Sequence, residues 1–193
     1  MIKADIQFVR SLADKRARDA EHLFIAEGSK LVEEILHSDL HIERVYTTRK
    51  DMTGRNIELV DRKEMERISQ LKTASDTLAV VRQPDYTLTP DTLNSSLTLA
   101  LDGVQNPGNM GTIIRLADWF GVKDIVCSHE CADCYSPKVI QATMGAILRV
   151  RVHYTESLAE LLKRTAESGT PIYGTLLDGK NIYKAELKDR GII

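Results

Sequence analysis

The run Leu101-Asp102-Gly103-Val104-Gln105-Asn106-Pro107-Gly108-Asn109-Met110-Gly111-Thr112-Ile113-Ile114-Arg115 decides how this chain is read. Before it, the unbroken apolar run from Leu97 to Leu101 predicts a buried strand. After it, apolar periodicity predicts a helix from about Gly111 to Phe120. A buried strand that ends in a glycine-punctuated turn and enters a helix is the building unit of open α/β sheets. Such sheets place ligands outside the carboxyl ends of their strands. Pro107 and Gly108 predict a tight turn, and Gly111 permits close backbone approach. Asn106 and Asn109 supply amide donors and acceptors, and the helix start offers unpaired N–H groups to an anion. Arg115 follows Gly111 by four residues, so its guanidinium is expected one turn into the helix, where it could grip a phosphate. A plain strand-to-helix turn, with Asn106 as a local cap and Arg115 on a solvated face, accounts for the same residues. The turn is neither a Walker loop nor a Gly-x-Gly-x-x-Gly dinucleotide loop.

Working outward, Asp124 to Cys127 predicts a short strand, Pro137 to Ala146 a helix, and Leu148 to Val152 a strand. A helix through Leu158, Leu161 and Leu162 ends near Gly169-Thr170-Pro171, and Ile172 to Thr175 predicts a further strand. This alternation implies βαβ crossovers and a mainly parallel sheet. Upstream, Gln83 to Ser96 is rich in Pro, Thr and Ser and predicts a linker. Before it, helical spacing at Ile6, Val9 and Leu12 and at Leu31, Val32, Ile35 and Leu36 alternates with strands at Ile42 to Thr47, Ile57 to Val60 and Leu78 to Val81. Asp61 with Glu64 forms a capping-box pattern for a helix through Leu71. The expected organisation is a small α/β sandwich over 1–83, a linker over 84–96 and a parallel α/β domain over 97–193.

Composition fits a globular chain: 193 residues, 42% apolar and 28% charged. No run of about 18 apolar residues is present to span a membrane, and the N-terminus lacks a secretory signal. Three cysteines without an export signal point to a reducing, cytoplasmic setting. The formal net charge of −2 gives no global attraction to nucleic acid, so RNA contacts must come from local patches such as Lys15, Arg16 and Arg18. Cys127, His129, Cys131 and Cys134 lie too close together to wrap a tetrahedral metal, and a polar loop with no metal is expected there. Trp119 and Phe120 are expected in the core or a dimer interface rather than as base-stacking platforms.

Asn106-Pro107-Gly108-Asn109-Met110-Gly111 with Arg115, then Ala117-Asp118 and Phe120-Gly121-Val122, closely resembles the first motif of the SpoU/TrmH RNA ribose methyltransferases. The resemblance continues through Tyr135-Ser136-Pro137-Lys138-Val139 and Ala142-Thr143-Met144-Gly145-Ala146. Upstream, the basic cluster, Phe24 to Gly28 and Val45 to Thr48 look like that family's N-terminal RNA-binding domain. The resemblance implies a trefoil-knotted α/β domain of the SPOUT type that binds S-adenosylmethionine, forms a homodimer and methylates ribose 2′-hydroxyls of rRNA or tRNA, rRNA foremost. It assigns catalytic roles to Asn106 and Arg115. A guanidinium is a poor base, so Arg115 is expected to hold the neighbouring phosphate and a developing alkoxide, with Asn106 orienting it.

The family's second motif (Gly-x-Glu-Gly) and third motif (Ser-Leu-Asn before an Ala-rich helix) do not occur before the chain ends at Gly191-Ile192-Ile193. The expectation is a chain truncated before the knot closes, with an incomplete donor pocket and little activity. Gly174, Thr175 and Leu176 are what remains of the cofactor contacts. The competing expectation is a non-catalytic RNA-binding or ribosome-assembly protein on the same scaffold.

Overall fold

The computed structural model describes residues 1–54 and 56–193. In chain order the elements are α1 (Lys3–Ser11), α2 (Lys15–Glu21), β1 (Leu23–Glu27), α3 (Ser29–Leu36), β2 (Ile42–Thr47), β3 (Ile57–Leu59), α4 (Arg62–Ile68) and β4 (Thr77–Arg82). There follow α5 (Pro90–Ser95), β5 (Leu97–Leu101), α6 (Pro107–Trp119), β6 (Asp124–Ser128), α7 (Pro137–Thr143), β7 (Arg151–Thr155), α8 (Leu158–Glu167) and β8 (Gly191–Ile192). They form two compact units, Met1–Asp85 with Asp133–Leu148, and Tyr86–Ala132 with Arg149–Ile193.

In the first unit the sheet order is β1-β4-β2-β3, with β4 antiparallel to both neighbours and β3 parallel to β2. Every residue of β1 is buried, which accounts for the apolar run Leu23 to Ala26 and leaves Glu27 a buried acid at its end. Leu23 and Ile25 enter a cluster with Ile6, Val9 and Leu12 of the α1 region and Met65 and Ile68 of α4. Phe24 points to the opposite face and stacks on Tyr135, ring centroids 5.0 Å apart. Residues 133–148 thus complete a core that local patterning assigns to the first 83 residues alone. Gln141 Nε2 donates to the Glu27 carbonyl at 2.8 Å. Gly145 has φ +91°, a backbone conformation that favours glycine, whereas a Cβ there would meet only the movable carboxylate end of Glu34.

In the second unit β7-β6-β5-β8 form a parallel sheet with β6 buried along its whole length. Several boundaries move from expectation. The linker contains α5, because Thr89 accepts from Thr92 N–H and Pro90 stands at the first helical position. The α6 helix begins at Pro107, one turn before Gly111, with Asn106 as its N-cap. The α4 helix stops at Ile68 rather than Leu71, since Ser69 is extended and its hydroxyl donates to Glu27. A 3-10 turn at Ala146–Leu148 delays β7 to Arg151. The strand expected over Ile172 to Thr175 is a single parallel bridge, Ile172 to Ile192.

Candidate functional site

The site grows from the carboxyl end of β5. The turn Leu101–Val104 leads to Asn106, whose Oδ1 accepts from Asn109 N–H at 3.0 Å and so satisfies one of the unpaired donors of α6. A Cβ on Gly108 would lie 3.1 Å from that oxygen, so glycine leaves room for the cap. Met110, Gly111, Ile114 and Ala117 form the buried face of α6. The opposite face carries Arg115, exposed, beside Leu116 and Trp119, the latter 84% exposed, with Phe120 at 75% just beyond. Neither aromatic belongs to the core, contrary to one of the two expectations for them. Among the described residues the Arg115 guanidinium has no hydrogen-bonded or ionic partner. Asp118 is different: Arg149 Nε lies 3.1 and 2.9 Å from its two oxygens, which ties the end of α6 to the approach to β7.

Because α6 starts at Pro107, Arg115 lies more than two turns into the helix, not one. Nine residues correspond to a rise of about 13 Å and about half a turn around the axis. Asn106 therefore does not orient Arg115 within one chain, and its side-chain oxygen is already committed to the cap.

Gly174, Thr175 and Leu176 follow the Ile172 bridge and line an open cavity of about 690 Å³ with Leu97, Leu187 and Ile193. Gly174 and Thr175 also line a second cavity of about 280 Å³, where Asp102 and Ala100 at the end of β5 meet Leu158 and Leu162 of α8. Asp102 lines this cavity but is not singled out in the sequence, although its place at a strand end is a usable signal. The main-chain bonds Tyr173 N–H to Ile192 (2.7 Å) and Ile192 N–H to Pro171 (2.9 Å) fix this wall. Its chemistry suits an adenosyl group bearing an amino acid: apolar walls, a glycine whose missing Cβ would find only Leu176 side-chain atoms at 3.8 and 4.0 Å, and Lys180 and Lys188 on the rim.

The three basic residues of the first unit separate. Lys15 is exposed and pairs with Asp19 at 2.7 Å, and Arg16 is exposed. Arg18 is only 3% exposed; it donates to Asp133 Oδ2 at 2.6 and 3.1 Å and to the carbonyls of Leu12 at 2.8 Å and Ala13 at 2.7 Å. With its donors committed inside the protein, Arg18 leaves the set of residues open to RNA phosphate.

Cys127, Cys131 and Cys134 are all buried thiols. His129 is exposed and lies 3.5 Å from Glu130. Among the described residues no three His, Cys, Asp or Glu side chains cluster as metal ligands, and no helix is long and apolar enough to cross a membrane.

Residues 96–193 match the SpoU rRNA methylase family, and residues 3–79 match the MRM3-like substrate binding domain. The chain is 27% identical over 181 residues to the Bacillus subtilis 23S rRNA (guanosine(2553)-2′-O)-methyltransferase RlmP, covering 91% of this chain and 71% of that protein. It is 28% identical over 152 residues to rRNA methyltransferase 3, mitochondrial, of Xenopus laevis, covering 72% of this chain but 36% of that protein. A solved TrmH-family structure from Porphyromonas gingivalis superposes with a TM-score of 0.90 at 34% identity, covering 100% of this chain and 79% of that one. An AdoMet-bound rRNA methyltransferase from Sinorhizobium meliloti gives 0.84 at 25% identity, covering 98% and 76%. The fold is that of these enzymes: a parallel α/β unit preceded by a substrate-binding domain.

Proposed function

The chain belongs to the SpoU rRNA methylase family, and from that membership we propose that it methylates a ribose 2′-hydroxyl of RNA, rRNA in preference to tRNA, using S-adenosylmethionine. The observation that carries the reading is Arg115: exposed and partnerless among the described residues, on a helix that leaves the ligand edge of a parallel sheet. In this proposal residues 1–83 bind RNA, 84–96 connect, and 97–193 carry the chemistry. Lys15 and Arg16 contact RNA phosphates.

S-adenosylmethionine, when bound, supplies a methyl group on a sulfonium. Gly174, Thr175 and Leu176 would help hold it, and Asp102, which lines the adjoining cavity, would offer a hydrogen-bond acceptor. The ribose 2′-hydroxyl would be the methyl acceptor, with its proton lost to solvent. Arg115 holds the adjacent phosphate and stabilises negative charge on the attacking oxygen, for which a fixed, planar guanidinium is suited. Asn106 holds the start of α6 in register with the turn after β5. The exposed face Leu116, Trp119 and Phe120 is the proposed homodimer contact, and the buried thiols suit the cytoplasm.

The test is single-turnover transfer of labelled methyl to an rRNA fragment and to the same fragment with 2′-deoxyribose at the acceptor. Label in the first and none in the second is expected. Tight RNA binding with no transfer to either would replace the enzyme by a non-catalytic RNA-binding protein.

A further inference from the structure

The turn after β5 is not closed on itself. In a tight turn the carbonyl of the first residue commonly accepts the N–H of the fourth. Here the Cys131 thiol stands between them: Sγ donates to Leu101 O at 3.3 Å and accepts from Val104 N–H at 3.3 Å. Gly103 sits at φ +63°, and its N–H donates to Ser128 Oγ at 3.0 Å. Ser128 Oγ lies 3.7 Å from the same sulfur, and Ala132 N–H donates to the Val104 carbonyl at 2.8 Å. Polar links from the end of β6 and the loop after it thus set the opening of the turn that delivers Asn106.

We propose that Cys131 is a positioning residue for the site, its thiol bridging the first and fourth residues of the Leu101–Val104 turn and so fixing where the Asn106 cap and α6 begin. The proposal rests on the reading that Asn106 belongs to the functional site. The thiol suits this task because it is both a weak donor and a weak acceptor with a long reach. It is 7% exposed, so the bridge is shielded from competing water. Ser128 secures the same turn by accepting from Gly103 N–H.

The experiment reads amide hydrogen exchange in the 193-residue chain, without donor or RNA, for wild type, Cys131→Ala and Cys131→Ser. The reporter is the Asn109 amide, which donates to Asn106 Oδ1 and is remote in sequence from Cys131. In Cys131→Ala its exchange is expected to rise about five- to tenfold, the scale of one net hydrogen bond. The β7 amides stay protected, and Cys131→Ser restores most of the loss. Faster exchange at Gly103 and Val104 with Asn109 unchanged would reduce Cys131 to a local contact and overturn the proposal. If Cys131→Ala fails to fold, Cys131→Ser decides: unprotected Asn109 over protected β7 sinks the idea. In methyl transfer Cys131→Ala should lower kcat several-fold at unchanged KM. A chain that transfers no methyl in any form would overturn the enzymatic reading while leaving the exchange result intact.

Discussion

Arg18 and Arg115 are the same residue type set in two regions under opposite conditions. Arg18, in the first unit, is buried and spends its donors on Asp133, Leu12 and Ala13. Arg115, in the second, stands exposed on α6 without a partner among the described residues. Removing a buried guanidinium that makes four hydrogen bonds leaves orphaned acceptors and a poorly solvated carboxylate; removing an exposed one leaves the fold untouched. A charge therefore serves structure where its hydrogen bonds are satisfied internally, and serves a ligand where they are left open.

That contrast breaks if the two alanine variants behave alike. Arg115→Ala should lower methyl transfer about 100- to 1000-fold in single-turnover assays, with the urea midpoint unmoved. Arg115→Lys should recover little, because a point charge does not reproduce a fork. Arg18→Ala should instead cost about 3 kcal/mol in urea unfolding, and its RNA affinity, measured where the protein is folded, should stay near wild type.

The buried acids extend the contrast to pH. Burial raises the Glu27 carboxyl despite bonds from Ser69 and Gln70, so the folded state holds its proton more tightly and stability falls as pH rises above the ordinary 4.5. Burial also disfavours ionised Asp124, but Arg151 and His153 outweigh it and lower the carboxyl. Its stability is present above the ordinary 3.8 and lost as pH falls through the lower folded value. Unfolding of Glu27→Gln and Asp124→Asn across pH should remove slopes of opposite sign; slopes of one sign would refute this.

Asn106→Ala should cost about 1 kcal/mol, the worth of an N-cap, and Asn106→Ser should restore most of it. A larger loss would mean Asn106 holds more than the cap. Smallest of all, replacing Lys15 and Arg16 by Ala should change stability by less than about 0.5 kcal/mol. The same change should flatten the logarithmic salt dependence of RNA binding by roughly 0.7 to 0.9 for each phosphate no longer neutralised. An unchanged salt slope would leave both as solvated charges.

Much of the fold is legible in the sequence because its signals are local. The apolar runs of β1 and β5 and the capping box at Asp61 and Glu64 each depend on a few neighbouring residues. Boundaries are less so. Apolar periodicity places the α6 start late, because Pro107-Gly108 reads as a tight turn when the two are the first helical residues after the Asn106 cap. The α5 helix hides inside a Pro- and Thr-rich stretch for the same reason. Ile172 to Thr175 has the apolar character of a strand, but Ile192 offers it only one bridge.

By itself the sequence determined the two α/β units, the parallel order implied by alternating strands and helices, and the motif that places Asn106 and Arg115 on the segment leaving β5. Tertiary structure alone decided that residues 133–148 pack with the first 85, that Arg18 is structural, and that Cys131 bridges the turn after β5. The physical reason is range. Helix caps and strand runs draw their energy from residues a few positions apart, whereas the partner of a guanidinium or a thiol is chosen by which distant segments the core brings within hydrogen-bonding distance.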